Sequence, residues 1–281
     1  MRVAIVGANS FLSQALLSLV SSDYEVLQVY NERQDRLSEK FSRISINGFL
    51  KEKPVVNYLF FIASYIDFDE GLRSLNQLLE TNILLLKRIS ETFEDVKIIH
   101  SSSVAVYELS NTTINEESRV NPSSSYGMSK LWAESIVRNH KGGGVNIRIS
   151  SLFGEGMNQK TFLPKIIQSA IVNKQITIYG DGTRMQNYIY VKDAADILFR
   201  AMCLKTTLPL LAVGNNSYSN IQIAIMVTEF FPELEIVHHG TDNSASFFYD
   251  NQHTRKLLDI PVSNTFKKQL RNTALWLQKQ F

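Results

Sequence analysis

The chain has 281 residues, of which 44% are hydrophobic and 20% are charged, so it has enough apolar material for a sizeable core. The formal net charge of +2, without any run of lysines and arginines, argues against nucleic acid as a partner. The single cysteine, Cys203, excludes an internal disulfide, fits a reducing compartment and is expected in the core. No segment approaches the ~18 apolar residues that cross a bilayer, so we expect a cytoplasmic protein without membrane contact.

Short apolar strands alternate with segments of helical periodicity over the first half of the chain. The strand predicted at residues 3–6 ends at Gly7 and precedes a helix at 11–20. The continuous apolar run at 58–63 is typical of a strand buried on both faces. Further strands are predicted at 25–30, 96–100 and 145–149, and further helices at 75–90 and 129–139. This alternation predicts parallel βαβ units in a doubly wound α/β sheet.

The regular alternation of predicted strands and helices changes after residue 151. The predicted elements there are a helix at 163–172, a strand at 176–179, a turn at 180–182, a strand at 188–191, a helix from Asp193 and an amphipathic helix at 265–281. We expect residues 1–153 to form the dinucleotide-binding domain, with 191–216 returning to it. Residues 154–190 and 217–281 are expected to form a smaller, closely docked α/β substrate-binding domain, because no linker separates the two parts.

Residues 7–13 (GANSFLS) join the first strand to the first helix, where a dinucleotide pyrophosphate would meet backbone N–H groups. Serine stands at Ser10 and Ser13, where such a loop usually has glycine. This segment alone leaves open that it is only a polar turn between a strand and a helix. The cofactor residues predicted in it are Gly7, Asn9, Ser10, Phe11 and Leu12.

Cofactor choice is usually set at the end of the second strand, where an acid bonds the adenosine ribose and repels a 2′-phosphate. Tyr30 stands there instead, followed by Asn31, Glu32 and Arg33, with Arg36 close behind. A guanidinium can pair with a 2′-phosphate through two hydrogen bonds. We therefore favour NADP over NAD, with Arg33 as an ordinary solvated loop residue the open alternative.

Tyr126 and Lys130 stand four residues apart in the segment YGMSK. At the start of a helix they would share one face, and a nearby ammonium would lower the pKa of the phenol, which is near 10 in water. Such a tyrosine could move a proton while a nicotinamide exchanges a hydride. On spacing alone, a surface tyrosine and lysine remain the alternative.

The surrounding residues favour a catalytic pair over a surface tyrosine and lysine. The patterns S-S-S-x-x-V-Y at 101–107 and P-x-x-x-Y-G-x-S-K-x-x-x-E at 122–134 resemble the NAD-dependent epimerase/dehydratase family, the extended short-chain dehydrogenases with a Rossmann fold. The resemblance runs nearly end to end. It implies that Ser103 holds the reacting oxygen, that Tyr126 is the acid or base, and that Lys130 tunes it and binds the nicotinamide ribose. It further implies cofactor contacts by Ile62, Ala63, Ser64, Asn82, Ser101 and Ser150, and substrate contacts by Ser103, Ser151 and Arg184.

The resemblance also implies a nucleotide-activated sugar as substrate and no metal. The family's 4,6-dehydratases place Asp-Glu after the catalytic hydroxyl residue, whereas Val104 and Ala105 follow Ser103 here. The 3,5-epimerases that also reduce need a cysteine near the sugar, and Cys203 lies in another segment. We therefore favour reduction of a 4-keto sugar nucleotide over 4-epimerisation. A non-catalytic NADP(H) sensor is less favoured, because sensors of this type typically lack the tyrosine or the lysine, and this chain has both, as Tyr126 and Lys130.

Related enzymes often pair through two long helices, and residues 75–88 and 129–139 match those helices. We expect a homodimer on this basis. An apolar face for it could come from Leu78, Leu79, Leu85 and Leu86, although a purely internal packing role for these leucines is the simpler interpretation.

Overall fold

The computed structural model describes residues 1–20, 23–67, 71–108 and 112–281. The chain forms two compact units. The first unit comprises Met1–Leu109, Glu116–Ile149 and Lys192–Ala212, and the second comprises Ser110–Asn115, Ser150–Val191 and Val213–Phe281. Within the described ranges, no helix is both long and apolar enough to cross a bilayer.

The elements are numbered along the chain. In the first unit the strands are β1 (Arg2–Val6), β2 (Glu25–Tyr30), β3 (Ser42–Ser45), β4 (Tyr58–Phe61), β5 (Lys97–Ser103), β7 (Gly144–Ile149) and β11 (Leu210–Ala212). The helices that accompany them are α1 (Phe11–Leu19), α2 (Ile46–Glu52), α3 (Leu72–Leu78), α4 (Leu85–Thr92), α5 (Ser125–Arg138) and α7 (Val191–Ala201). A π-helical turn at Leu79–Leu84 joins α3 to α4.

These seven strands form one parallel sheet in the order β11-β7-β5-β4-β1-β2-β3. The strand order reverses between β1 and β4, so the chain moves outwards first to one side of β1 and then to the other. Ligands of open α/β sheets bind at such a reversal, outside the carboxyl ends of the strands. The predicted site residues after β1, β4 and β5 stand at this edge.

The second unit contains the strands β6 (Thr113–Ile114), β8 (Ser151–Phe153), β9 (Gln175–Tyr179), β10 (Met185–Tyr190), β12 (Ser217–Ser219), β13 (Glu235–His239) and β14 (Phe248–Tyr249). Its helices are α6 (Phe162–Asn173), α8 (Asn220–Thr228), α9 (Gln252–Leu257) and α10 (Phe266–Gln278). Strand β10 lies between β8 and β12, and β9 pairs with β13. Phe266 of α10 packs on the rings of Phe153 and Tyr218, so aromatic packing joins α10 to the three-stranded sheet.

The predicted doubly wound α/β sheet is confirmed, while several element ends differ. Helix α5 begins at Ser125, four residues before the predicted start, because Ser124 caps it by accepting a hydrogen bond from the Gly127 N–H. The strand predicted at 188–191 ends at Tyr190, and Val191 already begins α7. Cys203, expected in the core, is exposed after α7.

Candidate active site

Gly7 makes the turn between β1 and α1 possible. Its φ of +86° lies in the left-handed region, and a Cβ there would stand 2.5 Å from the Ala63 nitrogen. No side chain larger than hydrogen fits this approach of the loop after β1 to the loop after β4. Ser13 is fully buried and donates its hydroxyl to the Gly7 carbonyl at 2.9 Å, which explains how serine is accommodated where glycine is usual.

The first turn of α1 faces the carboxyl edge of the sheet with open N–H groups. Ser10 caps the helix by accepting from the Ser13 N–H at 3.1 Å. The N–H groups of Phe11 and Leu12 precede the first intrahelical bond. With the dipole of α1 behind them, these two groups are suited to an anion.

The loop after β2 contains an acid that sequence analysis missed. Asp35 accepts hydrogen bonds from the Asn9 amide at 3.0 Å and the Arg33 guanidinium at 3.0 Å. The hydrogen bond from Arg33, followed by that from Asn9, lowers the pKa of Asp35 below its usual value. Asn9 and Arg33 are therefore brought together at Asp35, in the loop that follows β2. The only signal in the sequence was an acid five residues beyond the strand end, too far for the family pattern.

Ser103 and Tyr126 are brought together by a close approach of α5 to the end of β5. Ser103 ends β5 and caps the following turn by accepting from the Ala105 N–H at 3.1 Å. A Cβ at Gly127 would stand 2.3 Å from the Ala105 carbonyl oxygen. The glycine after Tyr126 is therefore required for the first turn of α5 to pack on this backbone.

Burial raises the pKa of Tyr126, and hydrogen bonds with the Ser64 and Ser103 side chains oppose this rise. The lowered pKa expected from the Tyr126–Lys130 spacing is wrong for the chain as it stands here. The Lys130 ammonium lies 5.8 Å from the centre of the tyrosine ring, but removal of the phenol from water is the largest cause of the shift in its pKa. Tyr126 is consequently protonated at neutral pH and can donate a proton.

Lys130 is buried, with 1% of its surface exposed, and donates to the Ser101 carbonyl at 2.8 Å. Burial lowers the pKa of Lys130 to about 7, opposed by the charge of Glu134 one turn further along α5. Ser101 also donates its hydroxyl to the Phe61 carbonyl at 3.3 Å. Lys130 and Ser101 thus lie together beneath the sheet edge that carries Ser103.

Asn82 lies in the π-helical turn and is almost fully buried. Its amide accepts from the Tyr65 N–H at 2.7 Å and donates to the Ser129 hydroxyl at 3.0 Å. The asparagine therefore holds the loop of Ile62–Ser64 next to α5. Its predicted contact with a cofactor stays a prediction, and its side chain is engaged by protein groups.

Three predicted residues belong to the second unit. Ser150 donates to Asn187 at 2.8 Å, and Asn187 also donates to the Gly214 carbonyl at 2.9 Å. Ser151 begins β8 and is exposed. Arg184 donates to the Ala245 carbonyl at 3.3 Å. Their predicted roles towards substrate and cofactor stay predictions.

A doubly wound parallel sheet with serine, tyrosine and lysine near its carboxyl edge is characteristic of the extended short-chain dehydrogenases. The chain belongs to the NAD dependent epimerase/dehydratase family, whose model matches residues 3–207.

Individual relatives are more distant. The chain is 29% identical to a dTDP-D-glucose 4,6-dehydratase of Dictyostelium discoideum over 57% of this chain and 41% of that protein. It is 24% identical to a dTDP-4-dehydro-6-deoxyglucose reductase of Escherichia coli over 53% of this chain and 49% of that protein. The matches thus span less than half of either relative. The fold is similar over its whole length to that of the UDP-glucuronic acid 4-epimerase of Bacillus cereus, solved with UDP-glucuronic acid and NAD (TM-score 0.87, 18% identity, 100% of both chains).

Replacing Gly7 by alanine is expected to weaken binding of NADH and NADPH at least tenfold, about 1.4 kcal/mol, because the methyl group would displace the Ala63 backbone. Gly143→Ala is the matched control, since Gly143 also has a positive φ of +77° but has no atom within 4 Å of the added Cβ. The control should cost only the left-handed strain, roughly 1–2 kcal/mol of unfolding free energy, and leave cofactor affinity unchanged. Fluorescence titration and denaturant unfolding measure both effects. Equal affinities in the two variants would contradict the role of Gly7.

Proposed function

We propose that the chain is an NAD(P)-dependent oxidoreductase of nucleotide-activated sugars and that it reduces a 4-keto group to an alcohol. The observation that carries the proposal is the hydrogen bond between the Tyr126 and Ser103 side chains, with Lys130 one turn further along α5 and with burial raising the pKa of Tyr126. The two residues after Ser103 are Val104 and Ala105, which have no acid or base for the elimination step of a dehydratase. Reduction needs only a hydride, a hydroxyl that positions the ketone and a proton donor.

The first unit fits a pyridine nucleotide. Because Gly7 approaches Ala63 closely, main-chain groups and not side chains stand at this edge of the sheet. The N–H groups of Phe11 and Leu12 are suited to the pyrophosphate. The nicotinamide, when bound, supplies the hydride. Ile62, Ala63 and Ser64 after β4 would line the adenosine diphosphate, as the resemblance implies.

The chain's own residues have separate tasks in this reaction. The Ser103 hydroxyl would hold the keto oxygen by a hydrogen bond. Tyr126 would donate its phenolic proton to that oxygen as negative charge develops there. Lys130 would stabilise the phenolate that remains, because its ammonium lies one helical turn away.

The alternative is 4-epimerisation, favoured by the full-length similarity in fold to a UDP-glucuronic acid 4-epimerase. The two reactions differ in what they consume. A reductase oxidises one equivalent of reduced cofactor for each 4-keto sugar nucleotide, whereas an epimerase interconverts two sugar nucleotides without net oxidation. Proton NMR of UDP- and dTDP-sugars, with and without reduced cofactor, separates them. Mass spectrometry of the molecule that co-purifies adds a second test, since an epimerase must retain its cofactor through turnover.

Tyr126→Phe is expected to lower kcat by at least about 10²–10⁴-fold, the usual contribution of a general acid, while cofactor binding and folding stay nearly unchanged because the ring is kept. Ser103→Ala should also impair turnover, and Lys130→Met should impair both turnover and cofactor binding. Cofactor oxidation near ~340 nm with a panel of nucleotide-linked 4-keto sugars measures this. If Tyr126→Phe kept most of the wild-type rate, the prediction would be wrong: the chain would share the fold of the extended short-chain dehydrogenases but not their mechanism.

NADP(H) is the cofactor we favour, because Arg33 and Arg36 follow β2 where an acid would otherwise stand. Asp35, which pairs with the Arg33 guanidinium at 3.0 Å, would compete with a 2′-phosphate for it. We therefore expect NADPH to bind at least as tightly as NADH, and Asp35→Asn to strengthen NADPH binding while changing NADH binding little. Fluorescence titration of both cofactors tests this. Tenfold tighter binding of NADH by the wild-type chain, about 1.4 kcal/mol, would exclude the preference.

A homodimer would use only part of the predicted apolar face. Leu78 and Leu86 are buried in the first unit, which agrees with the simpler interpretation of internal packing, so they are unavailable to a partner. The side chains that do stand out are on α3, the π-helical turn and α5, which pack on one another. They are Leu72, Leu79, Leu84, Met128 and Trp132, the last with 60% of its surface exposed.

We expect the wild-type chain to be a dimer at micromolar concentration and Trp132→Glu to make it monomeric, because a charge would be buried in the interface. Val172→Glu is the matched control: Val172 is 59% exposed on α6 of the second unit, outside the proposed face. Light scattering measures the mass of each variant. A monomeric wild type, or a dimer that persists in Trp132→Glu, would contradict the proposed interface.

A further inference from the structure

A buried charged cluster lies one turn beyond Lys130 on α5. The Glu134 carboxylate accepts from the Arg148 guanidinium through both oxygens, at 2.9 and 2.8 Å, and from the Ser102 hydroxyl at 2.6 Å. The side chains of Glu134 and Arg148 are 0% and 4% exposed. Arg148 also lies over the Tyr107 ring, 4.6 Å from its centre. Glu134 therefore joins α5 to both β5 and β7.

The cluster reaches the active site through neighbouring residues on both sides. Ser102 immediately precedes Ser103 on β5, and Lys130 precedes Glu134 by one turn of α5. The Glu134 main-chain carbonyl accepts from the Asn146 amide at 3.1 Å, and the Asn146 side-chain oxygen meets His100 at 2.8 Å. A displacement of Glu134 would thus move Ser103 and Lys130 relative to each other.

We propose that Glu134 is a positioning residue: held by Arg148 and Ser102, it fixes Lys130, one turn earlier on α5, in place against strand β5. The assignment rests on the proposed roles of Tyr126 and Lys130, but its physical content is the placement of two buried side chains, Lys130 and Glu134, one turn apart on the same helix. Glu134 does not face the predicted reacting atoms itself, because its carboxylate is fully engaged by Arg148 and Ser102.

The charges that surround Lys130 fix the sign of the effect. Tyr126 and Glu134 lie on its own helix, His100 on β5 and Arg148 on β7. Burial, reinforced by Lys130, lowers the pKa of His100 to about 3, so this imidazole is neutral. Glu134 is therefore the anion that raises the pKa of Lys130. Loss of that anion would lower the pKa of Lys130 further, so Lys130 would lose its proton at a lower pH.

The test is a titration of Lys130 that needs neither substrate nor cofactor. The chain is labelled with ¹³C,¹⁵N-lysine, and the Lys130 side-chain resonance is assigned by its absence in Lys130→Met. The wild-type midpoint is expected near 7. Glu134→Gln, which keeps the shape but removes the charge, is expected to lower the midpoint by about one unit or more. Glu134→Asp keeps the charge and should leave the midpoint near that of the wild type.

Two further variants separate this role from a purely structural one. Glu134→Gln combined with Arg148→Met removes both buried charges, so it should fold even if the single variant does not, and it should also lower the midpoint. Leu86→Ala opens a cavity in the core of the first unit and should lower stability without moving the midpoint. An unchanged Lys130 midpoint in the folded Gln-containing variants would overturn the proposal.

Turnover gives an independent readout. In the wild type, kcat/KM should fall as pH rises through the pKa of Lys130, and in Glu134→Gln this fall should begin at lower pH. A structural defect would instead lower the rate equally at every pH. If no sugar nucleotide of the proposed class reacts, the proposed function fails while the NMR titration still decides the role of Glu134.

Discussion

Glu134 and Arg148 place two opposite charges inside the first unit, where neither side chain has appreciable contact with water. Removing such ions from water costs several kcal/mol each, and only near-ideal geometry with additional hydrogen bonds offsets it. Both conditions are met here, since two guanidinium contacts and the Ser102 hydroxyl converge on one carboxylate. The pair therefore adds little net stability, but it fixes the orientation of α5 on the sheet. The planar guanidinium can form both hydrogen bonds in only one orientation of α5 over β5 and β7, whereas an apolar contact would allow several.

Two glycines, together with the ion pair, determine the shape of the site. Gly127 lets the first turn of α5 rest on the Ala105 backbone, and Gly7 lets the loop after β1 rest on Ala63. In both places the backbone comes closer than any Cβ would permit, so polar main-chain groups form the walls of the site. The ion pair fixes the orientation of α5, and Gly127 fixes its height above β5. Together they determine where Tyr126 lies relative to Ser103.

Sequence periodicity predicted the parallel sheet because buried strands are continuous apolar runs. The residue pattern at 101–134 predicted catalytic roles for Ser103, Tyr126 and Lys130; the structure places these side chains near one another, and their roles stay predictions. Strand β3, with the polar sequence SRIS, was missed because edge strands lack such a run. Asp35 was missed because its role depends on a loop that folds back onto Asn9. The sequence left open whether Leu78 and Leu86 face a partner or the core, with internal packing the simpler interpretation, because periodicity identifies an apolar face without showing what covers it. Side-chain environment, unlike element type, depends on tertiary contacts.

The pKa of Tyr126 also depends on tertiary contacts, and it bears on whether reduction or oxidation is favoured at the proposed site. Burial raises the pKa of a phenol and lowers that of an ammonium, because each shift favours the neutral form. In the proposed reduction, protonated Tyr126 would donate its proton to the keto oxygen, whereas oxidation of an alcohol would first require the phenolate, which a charged Lys130 would stabilise. For the tyrosine, reduction would thus begin from the form that burial favours and oxidation from the form that burial opposes, whereas both reactions would use the charged form of Lys130, which burial opposes. A 4-epimerase must perform both half-reactions at one site, so it would depend on the charge of Lys130, and hence on Glu134, more strongly than a reductase would.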